Sequence, residues 1–332
     1  MAEKKVCIII PFIGINDYVL ECIEGCLNLN YSNYEIILLP EHKINLPLKY
    51  VKKNVKVVET DNVTIAKSRN IGINLCKKAD FYAFIDSDAY PIRDWLKEAV
   101  KAFEINPDIW GVGGPNITPP KEGILRRVVG NSQKSFLVSG MRSYRKKIAK
   151  SRFCCDMSSC NLIINKKAMN YLKGFNENLI TGEDGELCNR IIKNNKKIFY
   201  SKKVIVYHHN RTLFKPYTLQ KITFGLSVFK VMKESPSISN LYMFFPFLFF
   251  LSLIIIPFLA IINICMLFLW GIIVSFYFIT IFIETLRYSK QKLEIPFTFV
   301  AIVIGNLAPG IGSLLAFIKF PVNIKKVYRN FE

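Results

Sequence analysis

The sequence predicts an α/β fold, with a mostly parallel sheet flanked by helices, followed by C-terminal transmembrane helices. The first 115 residues alternate short apolar runs with helical patterns, as expected when strands buried on both faces are separated by helices. Leu241 to Ile283 is a run of 43 residues without Lys, Arg, Asp, Glu or His, and Ile295 to Ile318 is a second uncharged run. As helix, the first run would be about 65 Å long against a hydrocarbon layer of about 30 Å, so two passes fit better than one.

The elements follow in order. Val6 to Ile10 reads as a buried strand ended by Pro11, and Asp17 can cap a helix whose Leu20, Ile23 and Leu27 recur at helical spacing. Ile36 to Leu39 and Val55 to Val58 are the next strands. A helix from about Thr64 to Cys76 precedes the strand Phe81 to Ile85. Another, from about Asp94 to Phe103, puts Trp95, Leu96, Ala99, Val100 and Phe103 on one face, and Trp110 to Gly114 closes the series. Residues 116–152 hold ten Lys/Arg against one acid, Glu122. Regular structure resumes with the strand Asn161 to Ile164 and a helix from Glu183 to about Asn194 that buries Leu187, Cys188, Ile191 and Ile192. Strands at Lys197 to Tyr200 and Val204 to Tyr207 follow, then a helical stretch, Gln220 to Lys230.

The net charge is +20, and only seven of the 45 basic residues lie beyond residue 240, which leaves +16 in residues 1–240. Such an excess suits an anionic partner. Beside apolar spans that partner is a membrane surface or a phosphorylated substrate, and no nucleic-acid motif argues for nucleic acid. The nine cysteines are odd in number and scattered, with no zinc-finger spacing, so reduced thiols in the cytoplasm are expected. No signal peptide is expected, because the apolar run after Lys4 and Lys5 stops at Pro11.

The chemistry centres on Asp86-Ser87-Asp88, directly after FYAFI. In an open parallel sheet, ligands bind beyond the carboxyl ends of strands. Two carboxylates on a turn at that edge can share Mg²⁺ or Mn²⁺, whose shell is completed by water and phosphate oxygens. The same pattern also suits a solvated turn with Asp capping the next helix. Gly182-Glu183-Asp184 places two acids at a helix start, where they can act as a base or simply offset the helix dipole. Arg69 has the fork that matches phosphate oxygens, or that of a surface ion pair.

KSRNIGINLCKKADFYAFIDSDAYP (Lys67 to Pro91) resembles the corresponding region of family 2 glycosyltransferases, and so do CIIIPF near the start, GEDGELCNRI in the middle and VYHHNR near residue 207. The four motifs stand in the family's order over the N-terminal two thirds. The resemblance implies the GT-A fold for a catalytic domain at residues 1–238, a nucleotide-diphosphate-sugar donor, and Mn²⁺ or Mg²⁺. Carried over to the matching positions, it implies that Asp184 is the catalytic base and Glu183 orients the acceptor. Pro11, Glu41, Arg69, Asn70 and Asp86 would bind the donor, and Asp86, Asp88 and His208 the metal. One departure is that IILL is followed by Pro40-Glu41-His42 instead of the acids that usually bind the nucleotide base, so Glu41 is the substitute available. His208 shares a strand face with Val204 and Val206, whereas His209 points the other way.

The expected activity is inverting transfer of a sugar to a lipid-linked saccharide or polysaccharide acceptor at the cytoplasmic face of the cell membrane. Rival readings are a polyprenyl-phosphate sugar synthase and a non-catalytic membrane protein with a degenerate nucleotide-sugar-binding domain. The membrane domain, residues 239–332, is expected to span at about 241–262 and 264–284. Arg287, Lys290 and Lys292 then lie in the cytoplasm with the basic catalytic domain. The run at 295–318 has a centre, GNLAPGIG, rich in helix breakers, so a re-entrant or bent interfacial segment is expected there, with a third span as the alternative. The basic stretch 121–152 is expected to face membrane lipids or the phosphate of a lipid-linked acceptor.

Overall fold

Seven apolar or proline residues near the start form β1 (Val6–Phe12), every one of them buried, inside a large sheet. The structure is a computed structural model describing residues 3–234, 236, 241, 243–259 and 263–321. Two units cluster separately: Met1–Pro119 with Tyr144–His209, and Pro120–Ser143 with Asn210–Glu332.

The strands of the first unit are, after β1, β2 (Tyr34–Pro40), β3 (Val55–Val57), β4 (Phe81–Phe84), β5 (Ala89–Pro91) and β6 (Ile109–Gly113). They continue with β7 (Asn116–Ile117), β8 (Arg152–Cys154), β9 (Leu162–Asn165), β10 (Lys197–Tyr200) and β11 (Val206–His208). Eight form one sheet in the order β3-β2-β1-β4-β9-β6-β10-β8. β9 runs antiparallel to both neighbours and β8 antiparallel to β10, while the other pairs are parallel. This GT-A-like mixed sheet is the one expected.

Alternation along β1 sends Ile8 and Ile10 to one face and Cys7 and Ile9 to the other, and both faces are covered. Helices Asp17–Leu27 and Trp95–Phe103 cover the first with Cys22, Ile23, Trp95 and Leu96. Helices Ile65–Leu75, Lys166–Leu172 and Glu183–Lys193 cover the second with Ala66, Met169 and Leu187. The chain leaves β1 toward β2 and β3 on one side, then returns to β4 on the other. In sheets of this kind ligands bind beyond the carboxyl ends of the strands where the order changes direction, here β1 and β4.

The expectation of reduced thiols is corrected at one pair. Cys7 on β1 and Cys76, just past helix Ile65–Leu75, form a disulfide across 69 residues, and both are buried. Spacing gives no hint of it, because the packing of that helix on β1 brings the two together.

In the second unit, helix Ile124–Lys134 packs Val128 and Val129 with Leu213, Tyr217 and Ala301. Helices Lys215–Glu234, Phe245–Leu259, Ile264–Tyr288 and Glu294–Phe317 follow. Ile264–Tyr288 and Glu294–Phe317 are long and apolar enough to cross a membrane. Phe245–Leu259 has 15 residues, about 22 Å of helix, inside the span expected at 241–262, of which residues 242 and 260–262 lie outside the described set. The breaker-rich GNLAPGIG lies within the continuous helix Glu294–Phe317. Its small residues serve close packing. A Cβ on Gly312 would meet the Ile222 carbonyl oxygen at 2.1 Å, and one on Gly225 the Pro309 carbonyl oxygen at 2.0 Å, so the two helices touch backbone to backbone. Fully buried Glu294 accepts from Arg127 Nε (2.5 Å), Asn131 Nδ2 (3.1 Å) and the Lys290 backbone N–H (2.7 Å).

Candidate functional site

β4 is buried throughout, and the chain leaves the sheet after it at Asp86-Ser87-Asp88. The next three residues are β5, at the edge of a separate three-stranded sheet ordered β5-β11-β7. β11 pairs antiparallel with β5 and sets His208 opposite Ala89. A histidine 120 positions further along the chain is thus placed beside the acidic turn by two very short strands. His208 Nε2 lies 3.2 Å from Asp88 Oδ1, and its other ring nitrogen, Nδ1, is buried with no hydrogen-bond partner. His209 turns away, as its strand position requires. It lies 2.7 Å from Glu21 Oε2 and against the Tyr18 ring, while its backbone N–H donates to the Asp88 carbonyl at 3.0 Å.

Arg69 comes from helix Ile65–Leu75, capped by Thr64, and is only 1% exposed. Nη1 donates to Glu183 Oε1 at 2.6 Å and Nη2 to Asp86 Oδ1 at 2.9 Å. The guanidinium is therefore a buried strut between the two acidic motifs. Asn70 is committed elsewhere. Its Nδ2 donates to the Phe175 carbonyl and to Glu177 Oε1, both at 2.9 Å, and its Oδ1 accepts the Phe175 N–H, which ties down the loop after helix Lys166–Leu172.

Glu183 and Asp184 open helix Glu183–Lys193 after Gly182, whose φ of 81° is a conformation that glycine adopts without strain. Asp184 accepts from the Ser159 backbone N–H at 3.3 Å and from its neighbour Gly185 at 2.7 Å. Burial pushes the Glu183 carboxyl up to about 7, with Arg69 opposing the rise and Asp184 adding to it. Burial likewise raises the Asp86 carboxyl above the usual range, opposed by Arg69, within a set that also includes Asp88, His208 and Asp184. Pro11 lies near the end of β1, and Glu41 just beyond β2 donates its backbone N–H to the Phe12 carbonyl at 2.9 Å.

Three residues here escaped the sequence reading. Cys160 is 1% exposed, and a side-chain ligand atom from each of Asp86, Cys160 and His208 lies within 4.8 Å of the others. Lys146, one of many cations in its stretch, is within electrostatic reach of Asp86, Asp88 and Cys160, and burial lowers its ammonium below the usual range. Asn161 is fully buried. It accepts from Trp95 Nε1 at 2.8 Å and donates to the Val204 and Pro115 carbonyls at 2.8 and 3.3 Å, tying down the segments that lead into β11 and β7. Only the run Ser-Cys-Asn before an apolar strand could have hinted at it.

The residues fit a divalent cation. Carboxylate oxygens and an imidazole converge at the end of a strand, and the buried, unpartnered His208 Nδ1 is an orphan that a ligand would satisfy.

Residues 7–168 match the profile of Glycosyl transferase family 2. A dolichyl N-acetyl-alpha-D-glucosaminyl phosphate 3-beta-D-2,3-diacetamido-2,3-dideoxy-beta-D-glucuronosyltransferase from Methanococcus voltae is 24% identical over 305 residues, which is 86% of this chain and 88% of that one. A pre-mycofactocin glycosyltransferase from Mycobacterium tuberculosis is 28% identical over 171 residues, covering 52% of this chain and 35% of that one. Among solved structures, a mannosyltransferase from Pyrobaculum calidifontis in complex with GDP-Man and Mn²⁺ superposes over 99% of this chain and 79% of that one, with a TM-score of 0.51 and 12% identity. At that identity the likeness concerns the fold.

Proposed function

The chain is a member of glycosyl transferase family 2 through residues 7–168, and from that premise we propose that it moves a sugar from a nucleotide-diphosphate donor to a hydroxyl of a lipid-linked saccharide or polysaccharide. The observation that carries this reading is the meeting of Asp86, Asp88, Glu183, Asp184 and His208 at one end of the sheet, with Arg69 bridging the two acidic motifs.

Mn²⁺ or Mg²⁺ held among Asp86, Asp88 and His208 would offset charge on the departing diphosphate. Pro11 and Glu41 line the donor's approach at the ends of β1 and β2, and Lys146 adds positive charge where the diphosphate lies. Asp184 takes the proton of the acceptor hydroxyl as its oxygen bonds to the anomeric carbon. The bond from that carbon to the diphosphate oxygen breaks on the opposite face, so configuration inverts. Glu183, fixed by Arg69, orients the acceptor and keeps Asp184 at the helix start.

The acceptor is lipid-linked and the chain sits in the cell membrane as a multi-pass protein, its catalytic residues on the cytoplasmic face. Helix Ile264–Tyr288 supports this reading. Phe268, Ile272, Phe276, Ile279 and Ile283 stand 57–71% exposed along it, a surface suited to lipid. Basic residues of 121–152 face the headgroups.

The test incubates the purified full chain in detergent with nucleotide-sugars, Mn²⁺ and a polyprenyl-linked saccharide, and reads released nucleoside diphosphate and glycosylated lipid. Turnover with one donor that disappears in Asp184→Asn supports the proposal. Retention of near-full turnover in that variant, with a bare polyprenyl phosphate as acceptor, would replace it with lipid-phosphate sugar synthesis.

A further inference from the structure

We propose that the turn joining the two long apolar helices binds the phosphate of the lipid-linked acceptor, gripped by Lys134 and Lys290 together. This deepens the reading above and rests on it. Residues 289–293 join helix Ile264–Tyr288 to helix Glu294–Phe317, the two helices long and apolar enough to cross a membrane. Helix Ile124–Lys134 packs on the second of them through Val128, Val129 and Ala301, and its polar side chains reach that turn.

Fully buried Glu294 is the anchor. It accepts from Arg127 Nε, from Asn131 Nδ2 and from the Lys290 backbone N–H, so its one charge is matched by the arginine. Arg127 Nη2 also donates to Gln291 Oε1 at 3.2 Å, which ties the helix to the turn. Lys134 Nζ donates to Asn131 Oδ1 at 3.0 Å, and the Lys290 ammonium lies within its electrostatic reach. Among the described residues, neither ammonium forms an ion pair with a carboxylate. Burial and repulsion from Lys290 hold the half-buried Lys134 ammonium below the usual lysine range, with Glu294 opposing. Three cations thus gather around one acid.

Attraction to a charged bilayer does not need this arrangement, because dispersed Lys and Arg each contribute on their own. Two ammoniums held together against their repulsion suit a single group with several negative oxygens that touches both. The position favours a phosphate carried on a lipid over a free one. Arg287 and Tyr288 close the apolar helix, and Phe282, Ile283 and Leu286 on its last turns stand 50–57% exposed, a surface for the chain that bears the phosphate. Ser289 Oγ, buried without a partner next to Lys290, is a further donor.

The test is native mass spectrometry of the purified, detergent-solubilised full chain with three probes: a polyprenyl-diphosphate-linked saccharide, phosphatidylglycerol and inorganic phosphate. One equivalent of the polyprenyl probe is expected, bound about tenfold or more tightly than either of the others. Lys134→Gln/Lys290→Gln is expected to weaken it about 30-fold, whereas Lys230→Gln/Lys233→Gln, an equal change of charge on another helix, leaves it within about threefold. Lys134→Arg/Lys290→Arg retains binding. If the variants at Lys134 do not fold, Lys290→Gln alone reads the site through a loss of about fivefold. Equal binding of phosphatidylglycerol makes the turn a general lipid contact and overturns the assignment. Equal binding of inorganic phosphate, unchanged affinity in Lys134→Gln/Lys290→Gln, or the same loss in the control pair overturns it too. Sugar transfer in Lys134→Gln/Lys290→Gln with an unchanged KM for the lipid acceptor sinks this inference alone. Absence of transfer by the unmodified chain with every donor, while the polyprenyl probe still binds at the two lysines, sinks the proposed function and leaves the phosphate site standing.

Discussion

Replacing Arg69 with methionine tests the strut between the two acidic motifs. The guanidinium is 1% exposed and holds Glu183 at 2.6 Å and Asp86 at 2.9 Å. Removing the shared cation leaves Glu183, 6% exposed, as an uncompensated buried carboxylate. Breaking a buried pair in this way costs about 3–5 kcal/mol. For a unit of this size each kcal/mol moves the melting temperature by about 2–4 °C, so a fall of about 6–20 °C is expected. The loss depends on pH. Glu183 is already pushed up to about 7, so between its ordinary value of 4.5 and about 7 the folded chain binds the extra proton. The stability it contributes is greatest in acid and declines as pH rises through that window. Without Arg69 the carboxyl titrates higher still, and the melting deficit is larger at pH 8.5 than at pH 5.5. Differential scanning fluorimetry of the detergent-solubilised chain reads both. Arg69→Met/Glu183→Gln removes charge from both partners and should recover at least about 1 kcal/mol relative to the single variant. A single variant that melts within about 3 °C of the parent at both pH values, or a double variant no more stable than the single, would refute the strut.

Three further outcomes are expected. Asp184→Asn lowers kcat by about 10²–10⁴-fold, while donor affinity by calorimetry stays within about threefold, because only proton removal is lost. In the parent, kcat/KM rises with pH through about 7 as Glu183 ionises and completes its pair with Arg69, and this limb disappears in Glu183→Gln. Gly225→Ala and Gly312→Ala each lower the melting temperature by separating helices that touch at backbone distance, at a cost of about 1–3 kcal/mol, whereas Gly271→Ala, with open space around it, is neutral or slightly stabilising.

Much of the large sheet was legible because its strands are continuous apolar runs and its helices carry one apolar face. Val6–Phe12, Phe81–Phe84 and helix Glu183–Lys193 fall where hydrophobic periodicity puts them. The short strands were not. Ala89–Pro91, Asn116–Ile117 and Arg152–Cys154 are too short to show any period, and they exist because a distant segment pairs with them. The same reason hides the Cys7–Cys76 bond and the place of Cys160, which only the folded chain brings near Asp86 and His208. Arg69 was singled out for its fork, but a sequence cannot tell whether a fork meets phosphate or two of the chain's own carboxylates. GNLAPGIG shows the limit from the other side, since small residues that break a lone helix also let two helices meet.

The three-residue strand that carries His208 has a practical corollary for anyone trimming this protein. A fragment cut where the family match stops, at residue 168, would keep Asp86 and Asp88 but lose Glu183, Asp184 and His208. It would also leave β5 without the neighbour that pairs with it. Only part of the proposed site would remain. The smallest piece worth purifying for cation or nucleotide studies therefore runs through at least His209.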